Sequence, residues 1–367
     1  MSRQLASIAE VAKRAGVSVA SASRVLSHST YPVSSEVREK VLKAATELNY
    51  VPNSLARSLR VQRSHLLAVL VGDNADPYFA EIVRGVEDVA NEAGYLTIIC
   101  NADRNPSKEL HYLRVLQDYR VDGVIFAGGA VTESGYPRQL EQVVQAMITR
   151  GAAAITLAQH TLHVPSIQPD NFGGAHQMTA RLIALGHRRI AFVTGPTNVM
   201  TANLRLQGYM AALAEAGVPL DPSLLLPGNF DRVSGEQAVN FLIHREPHQR
   251  PTAIFAANDE TALGVLSGLR RCGWRVPAEI SVCGFGDTPM AQATVPTLTT
   301  VHMGLRELGR AGARKLLAQL SHKEVSFLEI LPTTLIERES TAPPPLTMVE
   351  TRLITSEAIE DADDHRA

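Results

Sequence analysis

Apolar residues recur at helical spacing in three short segments at the start of the chain. Ile8, Val11, Ala12 and Ala15 fall on one face of the first. Ser7 and Glu10 stand at the spacing of a capping box, in which the Ser7 hydroxyl accepts from the Glu10 amide and the Glu10 carboxylate reaches back. Gly16 then supplies a turn, because positive φ is cheap there. Ser18 caps a second helix that turns Ala22, Val25 and Leu26 inward and shows Val19, Ala20, Ser23 and Arg24 on its other face. A third helix begins at Ser35 and is expected to bury Val37, Val41, Ala44, Ala45 and Leu48. Two short helices folded around a glycine turn describe a helix-turn-helix, and residues 1–51 form its domain.

After Pro52 the pattern changes. The stretch NSLARSLRVQRS has one short helical segment, 54–60, capped by Asn53 and too short to be stable alone in water. Residues 52–65 thus read as a hinge and linker. From His65 onward, apolar runs alternate with amphipathic segments. LLAVLV, YLTIIC, GVIFAG and AAAITL predict buried parallel strands in a first half, and RIAFVTG, AIFAAN and ISVCGF in a second. Helices are expected at 78–93, ending at Gly94; 106–119, opening on Asn105-Pro106; 172–185, ending at Gly186; 202–216, ending at Gly217; and 260–272, ending at Gly273. This alternation predicts an α/β fold, two doubly wound lobes with helices on both faces of each parallel sheet. The segment 343–367 is proline-rich, then acidic (EAIEDADDHRA), and is expected to be disordered.

A chain of 367 residues has room for two to three domains. No run approaches the ~18 apolar residues of a membrane span, and MSRQLASIAE has no signal-peptide core, so a cytoplasmic location is expected. Cys100, Cys272 and Cys283 form no CxxC pair and are expected as buried free thiols. The net charge of −2 conceals an asymmetry: residues 1–63 hold ten arginines and lysines against four glutamates, a net of +6, leaving −8 for the rest. A basic head on an acidic body suits a phosphate backbone as partner.

Enzymatic signatures are missing. No GxGxxG follows a strand, and there is no P-loop, GxSxG or HExxH. His160 and His163 have HxxH spacing without a third ligand in sight, so neither a metal nor another cofactor is expected. The body alone would fit a transport-type sugar-binding protein, but the basic head argues against that reading, and a Rossmann-like enzyme lacks its constellation.

The runs AEVAKRAGVS, SRVL, VREKV, ELNYVPN and LARSL, between Ser7 and Leu59, resemble the DNA-binding head of the lactose-repressor (LacI/GalR) family, and the likeness continues less densely to about Pro344. The resemblance implies a sequence-specific transcriptional regulator, a repressor, that binds pseudo-palindromic operator DNA as a homodimer under the control of a small molecule. The second helix would enter the major groove. There Arg24 can bond guanine, Val19 and Ala20 can touch a thymine methyl, and Ser7, Ser18 and Ser23 complete the DNA-facing set. In the hinge, Leu59 takes the position of a leucine that wedges into the minor groove. Asn53 and Ala56 would lie against that groove, and Arg57 and Arg60 would reach phosphates.

The same resemblance implies a body like that of periplasmic sugar-binding proteins, with crossovers near 164, 297 and 328. The N-lobe would be 66–164 with 298–328, and the C-lobe 165–297 with 329–342. The effector would stack on Tyr78 and Phe79, lie against Phe230, and bond Arg205, Thr201 and Asn258, while Asp259 caps the next helix. Ala158 and Gly286 stand where sugar-binding members carry acids, and Met303 replaces a polar contact. GFGDTPMAQATVPTLTTV resembles the gluconate-responsive branch. These departures imply a less negative site and an anionic effector such as a sugar acid or another carbohydrate derivative. The tail lacks the leucine heptads of tetrameric members, which favours a dimer.

Overall fold

The computed structural model describes residues 6–26, 31–50 and 63–345, and contacts divide the chain into two units, 1–65 and 66–367. The expected hinge helix, with Asn53, Ala56, Arg57, Leu59 and Arg60, lies outside the described residues, as does the tail from 346.

The first unit holds α1 (Ile8–Ala15), α2 (Val19–Leu26) and α3 (Ser35–Glu47). The capping box forms: the Ser7 Oγ accepts from the Glu10 amide at 3.3 Å and the Ser7 amide donates to the Glu10 carboxylate at 2.6 Å. Those bonds hold the Glu10 carboxyl below its ordinary range. Gly16 closes α1 at φ 66°. Val11, Ala12, Ala22, Val25, Val41, Ala44 and Ala45 form one small core, with Val37 and Leu48 only half-buried at its margin rather than inside it.

The second unit runs β1 (Leu66–Val71), α4 (Pro77–Glu92), β2 (Leu96–Asn101), α5 (Pro106–Asp118), β3 (Gly123–Phe126), α6 (Tyr136–Thr149), β4 (Ala153–Thr156) and β5 (Ser166–Pro169). It continues with α7 (Asn171–Ala184), β6 (Ile190–Val193), α8 (Met200–Glu215), β7 (Leu225–Leu226), α9 (Arg232–Ile243), β8 (Ala253–Ala256), α10 (Asp259–Arg271), β9 (Ser281–Cys283) and α11 (Pro289–Ala293). It ends with β10 (Thr300–His302), α12 (Leu305–Leu320), β11 (Leu328–Leu331) and β12 (Thr334–Ile336). The first lobe has a parallel sheet in the order β11-β5-β4-β3-β1-β2, and the second a parallel sheet in the order β7-β6-β8-β9. β10 and β12 pair antiparallel as a two-stranded ribbon.

Several expectations change here. β2 is an edge strand, so YLTIIC is not buried throughout; Leu96 is 64% exposed. Cys272 is exposed, because it sits just past the end of α10, whereas Cys100 and Cys283 are buried in sheets. The first crossover, expected near 164, follows Pro169, because β5 pairs with β4 and β11 in the first sheet. The other two follow β10 and β11, a few residues beyond 297 and 328.

Three helix pairs approach backbone to backbone at glycines, one of them through Gly208 of α8, where a Cβ would lie 2.3 Å from the Phe172 carbonyl of α7. A Cβ on Gly85 of α4 would lie 2.0 Å from the Arg306 carbonyl, and one on Gly309 of α12 would lie 2.0 Å from that of Ile82. Gly235 of α9 and Gly264 of α10 repeat the arrangement, at 2.1 Å from the Thr261 carbonyl and 2.0 Å from the Arg232 carbonyl.

Candidate functional site

The outer face of α2 carries the first candidate site. Ala22 and Val25 turn into the head core, which leaves Val19 (47% exposed), Ala20 and Arg24 facing solvent, with Ser23 half-buried beside them. Ser18 stands exposed at the helix start, its Oγ accepting from the Ser21 amide at 3.1 Å, and Ser7 is exposed at the start of α1. The Arg24 guanidinium lies 4.2 Å from the centre of the Tyr31 ring, which supports it without consuming its in-plane donors.

The second site is a cleft in the other unit, enclosing about 750 Å³ of empty space including its open mouth. It lies where ligands bind in open α/β sheets, beyond the carboxyl ends of the strands. Asp76 comes from the β1–α4 connection and Tyr78 and Phe79 from the first turn of α4, Arg104 from the loop after β2, His160 from that after β4, Thr201 and Arg205 from α8, Phe230 from the loop after β7, and Asn258 from just past the end of β8. Thr201 and Arg205 are one turn apart and so share a face. Tyr78 and Phe79 meet edge to face with centroids 4.9 Å apart. Gly72 and Gly195 leave room for the Phe79 and Phe230 rings, since a Cβ at either would come within 2.9 Å and 2.3 Å of them.

Arg205 is 4% exposed and lines the cleft with three of its donors engaged by the protein. Its Nε donates to Asn171 Oδ1 at 2.8 Å, Nη1 to the Ala257 carbonyl at 2.5 Å, and Nη2 makes a weak contact to Met303 Sδ at 3.7 Å. Its guanidinium stacks 4.0 Å from the Phe285 ring centre. Burial pushes its pKa down to about 10, still charged at neutral pH.

Met303 does not line the cleft. It is 2% exposed and packs behind Arg205, just past β10, which lies against α7 rather than beside the opening. The capping assignment also reverses. Asn258, not Asp259, caps α10: its Oδ1 accepts from the Thr261 amide at 3.0 Å, while its Nδ2 donates to the Phe230 carbonyl at 3.0 Å. Asp259 points into the lobe and accepts from Thr300 Oγ1 at 2.6 Å and the Thr288 amide at 2.7 Å.

Four polar residues of the cleft were not singled out from sequence as ligand contacts: Asp76, Arg104, Glu109 and His160. Their signal was position, since all but Glu109 lie within a few residues of a strand's carboxyl end. Two are acids, so the cleft is not simply stripped of negative charge. Burial, however, raises Asp76 to about 6 and raises Glu109 as well. His160 accepts from the Leu162 amide at Nδ1, 3.3 Å, leaving Nε2–H as its donor, and burial lowers the ring to about 4. His163 faces elsewhere, against Phe327, and no cluster of metal-ligating residues occurs among the described residues.

The lobes meet at the cleft in two ways. Val131 and Val199 form an antiparallel bridge, flanked by Met200 N to Ala130 O at 3.1 Å and Thr132 N to Asn198 O at 2.7 Å. Arg104 reaches from the first lobe to the Asn229 carbonyl at 3.4 Å and lies 5.5 Å from the Phe230 ring centre.

Comparison with known proteins covers both units. Residues 7–53 match the model of bacterial regulatory proteins of the lacI family, and residues 179–341 that of a periplasmic binding protein-like domain. The chain is 33% identical over 340 residues to the HTH-type transcriptional regulator DegA of Bacillus subtilis (strain 168), covering 92% of this chain and 98% of that protein. It is also 33% identical over 339 residues to the HTH-type transcriptional repressor PurR of Haemophilus influenzae (strain PittEE), covering 91% and 98%. Among solved structures, the lac repressor dimer bound to operator and the anti-inducer ONPF superposes with a TM-score of 0.79 at 28% identity, covering 92% of this chain and all of that one.

Proposed function

Because the chain belongs to the lacI family of bacterial regulatory proteins, we propose that it is a transcriptional repressor whose grip on operator DNA is set by a small molecule in the cleft. The observation that carries this is the outer face of α2: Val19, Ala20 and Arg24 project away from a head core that has no need of them. Arg24 is assigned to a guanine edge, Val19 and Ala20 to thymine methyls, and Ser7, Ser18 and Ser23 to neighbouring contacts. One head spans only a half-site, so the operator is a pseudo-palindrome read by a homodimer. Asn53, Ala56, Arg57, Leu59 and Arg60 are assigned to the minor groove and its phosphates, Leu59 as the wedge.

Tyr78, Phe79, Thr201, Arg205, Phe230 and Asn258 are assigned to the effector, a carbohydrate or sugar acid. These groups bind and orient rather than react, and no cofactor is invoked. The effector's differential affinity for two lobe arrangements shifts the dimer between them, and a coupling of ~1–3 kcal/mol changes operator affinity 5–150-fold.

The test is selection of genomic fragments by the purified protein, followed by footprinting. A protected palindrome of two half-sites supports the proposal. Binding with no sequence preference would sink it. Anisotropy titrations of the selected site, with and without candidate sugars and sugar acids, then read the coupling.

A further inference from the structure

Each lobe sends one guanidinium into the cleft. Arg104 arrives from the loop after β2 and Arg205 from α8, and the two lie 5.5 and 5.7 Å from the centre of the same ring, Phe230. Ion pairs among the described residues engage many other arginines, yet none joins Arg104 or Arg205 to a carboxylate. Arg205 has five N–H donors, of which Asn171, Ala257 and Met303 occupy three. Arg104 makes one long bond, to the Asn229 carbonyl. Burial lowers the pKa of both although carboxylates stand nearby, Asp76 and Asp231 around Arg104 and Asp259 and Asp76 around Arg205, so each is a charge held out of water with no carboxylate bonded directly to it.

The backbone around this pair is unusual on both sides. Asp103 and Arg104 are consecutive non-glycine residues at φ 54° and 53°, and Phe230 stands at φ 60° in the other lobe. Such conformations persist only where the surroundings impose them, and they cluster at ligand clamps. Here the loop is tied down by the Asp103 amide on the Gly72 carbonyl at 2.8 Å and by an ion pair from Lys108 to the Asp103 carboxylate. The effect of this rigid loop is to hold Arg104 over the cleft.

We propose that Arg104 and Arg205 share one anionic group of the effector, a carboxylate or a phosphate, with Phe230 packed against both guanidiniums. The proposal rests on the regulatory reading of the cleft and narrows it to a ligand class. Forked guanidinium donors match the paired oxygens of either anion, and an anion held by an arginine from each lobe draws the lobes together. The remaining ligand is a small hydroxylated body facing Thr201, Asn258, Tyr78 and the His160 Nε2–H.

The test titrates the full-length protein calorimetrically with matched probes: D-gluconate against D-glucitol, and glucose 6-phosphate against glucose. The acid of one pair is expected to bind at least ~10-fold tighter than its neutral partner, and the pair that responds identifies carboxylate or phosphate. Arg104→Gln is expected to weaken that acid ~10-fold or more, while Arg104→Lys, which keeps the charge, weakens it less. Unliganded melting temperatures of both variants confirm that they fold. Equal binding of acid and neutral partner, binding of neither acid, or an Arg104→Gln variant that holds the acid as tightly as the parent overturns the proposal. Operator affinity is read in the same samples. A neutral sugar that binds and moves operator affinity removes the anion clasp but leaves the regulator standing. An acid that binds through Arg104 while operator affinity stays fixed does the reverse.

Discussion

At the scale of single residues, Arg24 gives the cleanest prediction. Arg24→Ala should weaken binding to the operator relative to random DNA by ~1–3 kcal/mol, measured by competition anisotropy; equal loss on both would make it a phosphate contact. Asp76 gives a pH dependence. Its carboxyl stands at about 6 in the folded protein against an ordinary 3.8, so the folded state takes up the proton first. Its contribution to stability is therefore greatest at low pH and is lost as pH rises from about 4 through about 6. The same uptake removes negative charge beside Arg104, so an anionic ligand should bind more tightly at pH 5.5 than at pH 8, roughly the window of that titration. His160, lowered to about 4, stays neutral across that range. In Asp76→Asn this pH dependence of affinity should flatten, apart from what Glu109 retains. The pair Asn258 and Asp259 shows where sequence reasoning stopped. Either side chain suits a helix cap, and only the placement of Thr300 and Thr288 beneath α10 decides that Asp259 turns inward. Met303 is hidden for a similar reason, because its depth behind Arg205 depends on how β10 packs against α7.

At the scale of elements, five helices of the second unit were legible almost to the residue, while α6, α9 and α12 drew no expectation. Glycine stops and asparagine or aspartate caps are local chemistry, so α4, α7 and α10, which have both, α5, which has the cap, and α8, which has the stop, fall within two residues of expectation. What periodicity could not supply was a strand's place in its sheet. YLTIIC has the apolar content of a buried strand, yet β2 is an edge, because β1 pairs on its other side with β3. The glycine contacts between helices were equally hidden. They follow from which helices become neighbours, and α12 is separated from α4 by more than 200 residues. Gly309→Ala places a methyl group 2.0 Å from the Ile82 carbonyl, so α12 and α4 must move apart. The expected cost is ~1–3 kcal/mol of unfolding free energy, readable in urea titrations. Gly94→Ala, at φ 75° with nothing nearby, tests the contrast: its penalty comes from the backbone alone.

At the scale of the whole molecule, the head has its own core and the contacts divide at His65. A chain beginning at Leu66 should lose all operator binding and keep its response to ligand. That response is itself measurable, since a ligand at 100 times its dissociation constant adds ~2.7 kcal/mol to stability and raises the melting temperature accordingly. Loss of ligand response together with the head would contradict two independent units. The general plan, a reader followed by two wound lobes, was visible in the alternation of patterns and in the basic head. The crossovers were placed a few residues early, because β5 and β11 are short and apolar pattern alone cannot say which sheet receives them. One feature of the cleft reaches beyond this chain. The contact between Ala130–Thr132 and Asn198–Met200 is built mostly from main-chain atoms, which every residue but proline supplies. Substitution can therefore rewrite the side chains that line the cleft without rewriting the main-chain contact that joins its two walls, so a lineage can change the lining one side chain at a time.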